Sequence, residues 1–319
     1  MASAPNILIL NRLADRHVAA IKEVMPEITV VHTDLEHAGE WIAATDILVA
    51  WGMHDIRALY AAAPRLKWVH ALSAGVENLI FPELQTADTI LTNSKGIHGI
   101  PISEHVFALI LAFSRGLNLY IRQQTAKEWK RQKEFTTEIH EKTLGIVGLG
   151  SIGRELAKKA KGLGMNVVAV KREITSEIFV NKLYTPDQLE EMLGVADFVV
   201  VALPLTEETN GLFGLRQFAA MKPSAYFFNI ARGAIVREKD LVGALEKGLI
   251  RGAGLDVFEE EPLPQSSPLW DRPDVIITPH VGGQSPPYLD RAIKLFVDNL
   301  TRYTENREMV NLVDKIKGY

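Results

Sequence analysis

The groups in this chain best placed to do chemistry are an arginine, a carboxylate and a histidine that each follow a strand-like apolar run. Arg232 lies in Phe228-Asn-Ile-Ala-Arg-Gly233, and the carboxylates in Gly254-Leu-Asp-Val-Phe-Glu-Glu-Glu-Pro262. His280 lies in Ile277-Thr-Pro-His-Val-Gly-Gly283. Open α/β sheets bind ligands at the carboxyl ends of their strands. A guanidinium, a carboxylate and an imidazole gathered there suit a 2-oxo acid. The guanidinium meets its carboxylate and carbonyl oxygen, the imidazole handles the proton, and the carboxylate holds the imidazole. Each residue also has a plainer reading. Arg232 alone reads as a surface ion pair, His280 as a satisfied loop residue, and at least two of Glu259–Glu261 as solvated spectators. Their coincidence at equivalent strand ends is what favours the chemical reading.

The neighbouring motif sharpens it. Thr143-Leu-Gly-Ile-Val-Gly-Leu-Gly-Ser-Ile-Gly153 sets Gly148, Gly150 and Gly153 in a G-x-G-x-x-G spacing after an apolar run. Residues 154–162 follow with helical character and 165–170 read as the next strand. Glycine is needed first for a tight turn, then for close backbone approach to a pyrophosphate, and last for packing helix on strand. The helix N-terminus offers free N–H groups and the positive end of a dipole to the phosphates. The spacing alone would be an ordinary βα turn. Its strand–turn–helix–strand context predicts a dinucleotide site.

One position departs from the NAD pattern. A fold preferring NAD places Asp or Glu about 20 residues beyond the fingerprint, on the ribose 2′-hydroxyl. Here the second strand runs into Lys171-Arg172. These could be a solvated basic loop, yet two cations in place of the anion point to a 2′-phosphate and hence to NADP(H), with NAD(H) second.

The elements that must position these groups are legible as alternating strands and helices. Strands are expected at 6–10, 28–31, 47–50, 66–70 and 89–92, with helices near 15–25, 36–45 and 55–62. A second series of strands is expected at 144–147, 166–170, 198–202, 225–229, 252–256 and 275–278. This alternation implies two parallel sheets covered on both faces. Between them residues 101–124 read as one long helix opened by a proline, its 106–113 section apolar on all sides and so buried between domains or subunits. Residues 127–142 read as a polar, exposed excursion, and 286–303 as a final amphipathic helix.

Composition narrows the class. The chain has 319 residues, 47% hydrophobic and 23% charged, with a net charge of -4. Its scattered basic residues give no nucleic-acid or membrane surface. The apolar run 106–113 is far short of the roughly 18–20 residues that span a bilayer. Residues 1–10 carry no cationic segment ahead of their apolar run, so no secretory signal is expected and the default location is cytoplasmic. With no cysteine, thiol catalysis, disulfides and cysteine-ligated metals are excluded. His54, His70, His98 and His105 lack the spacing and carboxylate of a metal site and are expected to be structural or to line a rim. Trp51–His54 is a candidate lining for a substrate pocket.

Together these segments resemble the D-isomer-specific 2-hydroxyacid dehydrogenase family over nearly the whole chain. The resemblance runs through Ser73-Ala-Gly-Val-Glu-Asn78, Ser103-Glu-His105, the glycine fingerprint, Leu203-Pro-Leu-Thr-Glu-Glu-Thr209, Asn229-Ile-Ala-Arg-Gly233, Gly254-Leu-Asp-Val-Phe258, Glu261-Pro262 and Thr278-Pro-His280. It implies that Arg232 binds substrate, Glu261 orients the histidine and His280 is the acid/base. It implies that Ser73, Ala74, Gly75 and Val76 hold the substrate carboxylate. The cofactor would be held by Gly148, Gly150, Ser151, Ile152, Gly153, Lys171, Arg172, Leu203, Pro204, Thr209, Ile230, Ala231, Asp256 and Gly282, with Asp256 near the nicotinamide amide. The implied architecture is a Rossmann-type cofactor domain, 99–286, inserted into a smaller flavodoxin-like α/β substrate domain, 1–98 plus 287–319. The active site would lie in the cleft between them, the protein would be a homodimer, and no metal is called for. The activity implied is reversible NADP(H)-dependent reduction of a 2-oxo acid to a D-2-hydroxy acid. Formate dehydrogenase, which normally carries glutamine where Glu261 stands, and a cofactor-sensing binding protein of the same fold are the alternatives.

Overall fold

The computed structural model describes residues 4–131 and 136–318. The chain divides into two compact units, Met1–Ile97 with Ser285–Tyr319, and His98–Gln284. The second unit is therefore inserted, in sequence, into the first.

The first unit is built on β1 (Asn6–Ile9), β2 (Thr29–His32), β3 (Ile47–Ala50), β4 (Trp68–Ala71) and β5 (Ile90–Asn93), with α1 (Asp15–Val24), α2 (Arg57–Ala61) and α3 (Pro82–Thr86) between them. All pairings are parallel, in the order β2-β1-β3-β4-β5 of a flavodoxin-like sheet. Alternate residues of each strand face opposite sides. Ile7, Ile9, Ile47, Val49 and Trp68 pack with Ile21 of α1 and with Ile293, Phe296 and Leu300 of the C-terminal helix Tyr288–Thr304. Leu8, Leu48, Ala50, Val69 and Ala71 pack on the other side with Leu79 and Leu84. Both faces are covered, which is why these strands read as unbroken apolar runs.

The second unit opens with α4 (Gly99–Ser114) and α5 (Leu117–Thr125). A doubly wound series follows: β6 (Thr143–Val147), α6 (Ser151–Gly162), β7 (Asn166–Val170), β8 (Lys182–Tyr184), α7 (Leu189–Val195), β9 (Phe198–Val201), α8 (Leu215–Ala220), β10 (Tyr226–Asn229), α9 (Glu238–Glu246), β11 (Gly252–Leu255) and β12 (Val275–Ile277). The seven strands are parallel in the order β12-β11-β10-β9-β6-β7-β8, with the strand order reversing between β6 and β9. Leu144, Ile146, Val167, Val200 and Phe228 pack under α4 and α6 through Val106, Ile110, Phe113, Leu156 and Ala160. The opposite face packs on α7, α8 and α9 through Met192, Phe218 and Leu241.

Several elements differ from the sequence expectation. The helix expected over 101–124 is two helices meeting at a 71° bend. Gly116 adopts φ 66 at the break, a left-handed conformation that glycine takes without strain. No single helix among the described residues is long and apolar enough to cross a membrane. Residues near 36–45 form two short 3-10 turns, Ala38–Glu40 and Ile42–Ala44, interrupted at Trp41. The strand expected at 66–70 starts later, at Trp68, because Leu66 N–H closes a turn on Ala63 C=O. The edge strand β8 has no counterpart in the sequence reading. Of the polar segment 127–142, residues 132–135 lie outside the described residues; most of the rest is exposed.

Candidate active site

The glycine fingerprint forms the turn between β6 and α6, beside the point where the strand order reverses. Gly148 has φ +103, and a Cβ on it would lie 2.7 Å from the Ala202 carbonyl oxygen. Only glycine serves there. A Cβ on Gly153 would lie 2.5 Å from the Gly148 carbonyl oxygen, so this glycine allows α6 to pack on the turn. Gly150 differs, being extended at φ -83 and ψ -157 with nothing within 4 Å of a Cβ. The open space lies over the N-terminus of a twelve-residue helix whose first residues are Ser151, Ile152 and Gly153. A pyrophosphate fits this cradle. Leu203 closes one side of the turn, its Cδ2 2.9 Å from where a Gly148 Cβ would be. The loop beyond β9 is held by the Thr209 hydroxyl, which donates to the Pro204 carbonyl at 2.7 Å.

Arg232, Glu261 and His280 follow β10, β11 and β12, three adjacent strands of this sheet. Behind Arg232, the Asn229 side chain accepts from Ala231 N–H at 3.1 Å and donates to Arg232 C=O at 2.9 Å. Ile230 and Ala231 are buried. Gly233 lets this loop press on the next one, since any Cβ there would collide with the Phe258 carbonyl. Glu261 accepts the Phe258 N–H on Oε1 at 3.0 Å, which leaves Oε2 2.7 Å from His280 Nδ1. Nε2 of His280 makes no hydrogen bond among the described residues. His280 itself adopts φ 52, unusual for a side chain other than glycine. Asp256, almost fully buried, holds it there. Its Oδ1 accepts from the Thr278 hydroxyl at 2.6 Å and Val281 N–H at 2.9 Å, and its Oδ2 from Gly282 N–H at 2.8 Å. His105 adds a 3.0 Å contact from Nε2 to the Thr278 hydroxyl. Burial first, and then the positive charge of Arg232, push His98 down to about 4.

This arrangement can bind an anion beside a positioned proton donor and acceptor, next to a dinucleotide cradle. Residues 107–282 match the profile described as D-isomer specific 2-hydroxyacid dehydrogenase, NAD binding domain. The glyoxylate/hydroxypyruvate reductase B of Escherichia fergusonii is 36% identical over 306 residues, covering 93% of this chain and 94% of that protein. The chain belongs to the D-isomer specific 2-hydroxyacid dehydrogenase family. It is therefore an oxidoreductase. Among solved structures, a family member from Aeromonas salmonicida superposes with a TM-score of 0.87 at 34% identity, covering 98% of this chain and all of that one. The NADPH-dependent glyoxylate/hydroxypyruvate reductase of Sinorhizobium meliloti, in complex with NADP and sulfate, gives 0.82 at 29% identity over 99% of this chain and 100% of that one.

Two further regions bear on the family chemistry. After β7, Lys171 Nζ contacts Glu177 Oε1 at 2.9 Å and Thr175 Oγ1 at 2.6 Å. Glu177 is also gripped by both nitrogens of the Arg154 fork, at 2.8 and 3.1 Å. Arg172 pairs with Glu208 at 2.8 Å, both side chains well exposed. The two cations singled out from the sequence thus already have carboxylate partners, and a third, Arg154 on α6, joins them. Nothing in the sequence spacing marked Glu177 or Arg154. In the first unit the loop after β4 is tied down by its carbonyls. Ser73 C=O accepts Ser94 N–H at 3.0 Å, Ala74 C=O accepts the Asn93 amide at 2.8 Å and Gly75 C=O accepts the Ser73 hydroxyl at 2.7 Å. The N–H groups of Ala74, Gly75 and Val76 make no hydrogen bond among the described residues. Trp51 stacks on Tyr288 with centroids 5.5 Å apart, and His54 is half-buried. His70 is wholly buried between the Thr92 and Ser94 hydroxyls, a core residue of β4.

Proposed function

We propose that this protein reduces a 2-oxo acid to the D-2-hydroxy acid with NADP(H), in a reversible reaction. The observation that carries the reading is the 2.7 Å contact of His280 Nδ1 with Glu261 on a loop next to Arg232. His280 donates a hydrogen bond from Nδ1–H to Glu261, whose charge favours the imidazolium. In that form Nε2 gives its proton to the substrate carbonyl oxygen and leaves the neutral Nδ1–H tautomer, which takes the proton back in the oxidising direction. Arg232 stabilises the negative charge that develops on that oxygen. The N–H groups of Ala74, Gly75 and Val76, which make no hydrogen bond among the described residues, suit the substrate carboxylate. Gly150 and the N-terminus of α6 hold the pyrophosphate, Asp256 and Gly282 flank the nicotinamide, and Lys171 and Arg172 face the 2′-phosphate. The nicotinamide, when bound, supplies or accepts the hydride. The names of the relatives favour glyoxylate and hydroxypyruvate as substrates. Leu111, Leu117 and Ile121, exposed on α4 and α5, support a second copy of the chain as partner, with these helices buried in a homodimer.

The experiment is loss of reduced-nicotinamide absorbance with NADPH or NADH against glyoxylate, hydroxypyruvate, pyruvate and bulkier 2-oxo acids. Turnover with NADPH is expected, and His280→Asn should lower it by about 10²–10⁴-fold while leaving cofactor binding intact. Cofactor binding without turnover on any acid would instead identify a sensing protein. A His280→Asn rate within about threefold of the parent would remove the acid/base assignment, since general catalysis is worth far more than that.

A further inference from the structure

The carboxyl end of β7 is where a doubly wound fold meets the adenosine ribose, and in this chain that place holds an anion of its own. Glu177 lies in the loop after β7. Its side chain is 13% exposed, against 21% for Lys171 and 52% for Arg154, so the carboxylate sits deeper than the cations that surround it. Its hydrogen bonds, two from the planar Arg154 fork and one from the Lys171 ammonium, form the pattern by which such groups bind a phosphate. The Thr175 hydroxyl, 2.6 Å from Lys171 Nζ, completes the cluster. Arg154, first of these causes, and then Lys171 hold the Glu177 carboxyl down to about 2, so it stays ionised across the working range. Arg154 is the fourth residue of α6, one turn from the pyrophosphate cradle, and Lys171 immediately follows β7. The cluster is therefore tied to both ends of the adenosine half of the dinucleotide site.

We propose that Glu177 is a resident anion of the 2′-phosphate subsite, occupying the Arg154–Lys171 cation pair and thereby lowering the selectivity for NADP(H) over NAD(H). The proposal rests on the NADP(H) reading given above. It assigns Glu177 a role opposite to that of Lys171 and Arg172. With Glu177 in place, the two cations carry one net positive charge between them; without it they carry two. A 2′-phosphate must displace the carboxylate from its donors or share them with it at the cost of like-charge repulsion. A ribose 2′-hydroxyl meets no such competition. Glu177 thus sets selectivity by competing for the cations, and it keeps a dense cationic cluster from standing uncompensated in the free protein.

The test is equilibrium binding, by titration calorimetry, of 2′,5′-ADP and of 5′-AMP, which differ only in the 2′-phosphate, to the full-length parent, Glu177→Gln and Glu177→Ala. Both variants should bind 2′,5′-ADP on the order of tenfold more tightly, after allowance for screening at a partly open site. Binding of 5′-AMP should change by less than about twofold. KM for NADPH should fall in parallel, with KM for NADH unmoved. Thermal unfolding of each variant identifies any that has lost its fold, and the other variant then carries the result. Unchanged or weaker 2′,5′-ADP binding in a folded variant overturns the proposal, the weaker result making Glu177 a residue that positions Lys171 and Arg154. If the parent fails to distinguish the two nucleotides while Glu177→Gln prefers 2′,5′-ADP, the proposal stands and the NADP(H) preference of the native protein falls. If neither parent nor variants distinguish them, both fall.

Discussion

Gly150 and Gly153 are three residues apart in one turn, yet the structure gives them opposite sensitivities to a single methyl group. At Gly153 an added Cβ would sit 2.5 Å from the Gly148 carbonyl oxygen and 3.2 Å from Ile146 Cγ2. The first of these is backbone and cannot swing aside, so Gly153→Ala must open the α6–β6 contact. Overpacking of this kind costs about 1–3 kcal/mol. For an unfolding unit of roughly 150–250 residues that lowers Tm by about 2–4 °C per kcal/mol. At Gly150 the backbone is extended and the added Cβ meets nothing within 4 Å. Alanine adopts that conformation freely, so Gly150→Ala should leave stability within about 1 kcal/mol of the parent. Its methyl group would instead occupy the space through which a pyrophosphate oxygen reaches the backbone N–H groups at about 2.9 Å. Loss of one hydrogen bond to a charged oxygen is worth about 1.5–3 kcal/mol, which is roughly a 10- to 100-fold loss of dinucleotide affinity. Calorimetric melts of both variants without ligand, and titration of both with NADPH, separate the two effects. Parent-like NADPH affinity in Gly150→Ala would show that the pyrophosphate does not approach this turn. A melt lowered in Gly150→Ala as far as in Gly153→Ala would refute the packing argument itself.

Asp256→Asn should destabilise the protein by about 1–3 kcal/mol, because the amide nitrogen cannot accept and leaves one of three donors unpaired. As that carboxylate pins the left-handed backbone of His280, kcat should fall more than NADPH affinity; an unchanged melt and kcat would dismiss the pinning. His70 supplies a pH test on the first unit. Burial depresses it to about 3 from the ordinary 6.5, so the folded state favours neutral imidazole, and its contribution is full above about pH 6.5. That stability is lost as pH falls from there towards 3, at up to about 1.4 kcal/mol per pH unit. Chemical denaturation of His70→Gln across this window should show a shallower acid dependence than the parent, and parallel curves would acquit His70.

How legible the protein was in its sequence depends on how local each cause is. The glycine turn, the strand ends carrying Arg232 and His280 and most buried strands follow from near-neighbour patterns, because parallel strands covered on both faces must be apolar throughout. The break at Gly116 was also local, but the apolar residues on either side of it read as one continuous helix. Strand β8 has three residues, one of them Lys182, and pairs with β7 through the register Val168–Lys182, which no apolar run announces. The two turns in 38–44 satisfy their N–H groups locally, so helical spacing there lacked a second face to bury. Asp256, Thr278 and His105 meet because β11 and β12 pair Leu255 with Ile277 and α4 lies alongside. Arg154 and Glu177 meet across 23 positions. The sequence supplies the donors and acceptors in both cases, but only the register of the sheet decides which ones find each other.

The two-segment first unit has a consequence for how the molecule is made. Trp68, wholly buried, lies against Phe296 and Tyr303 at centroid distances of 5.2 and 5.4 Å, and Ile7 and Ile9 share that cluster with Ile293 and Leu300. The part of that face not covered by α1 therefore stays exposed until the ribosome has passed residue 300, whereas every strand and helix of the second unit is contiguous in the chain. Synthesis at about 5–20 residues per second leaves the amino-terminal strands waiting for their last helix while the inserted unit can complete itself. The segment 1–97 expressed without that helix should aggregate through its exposed apolar surface.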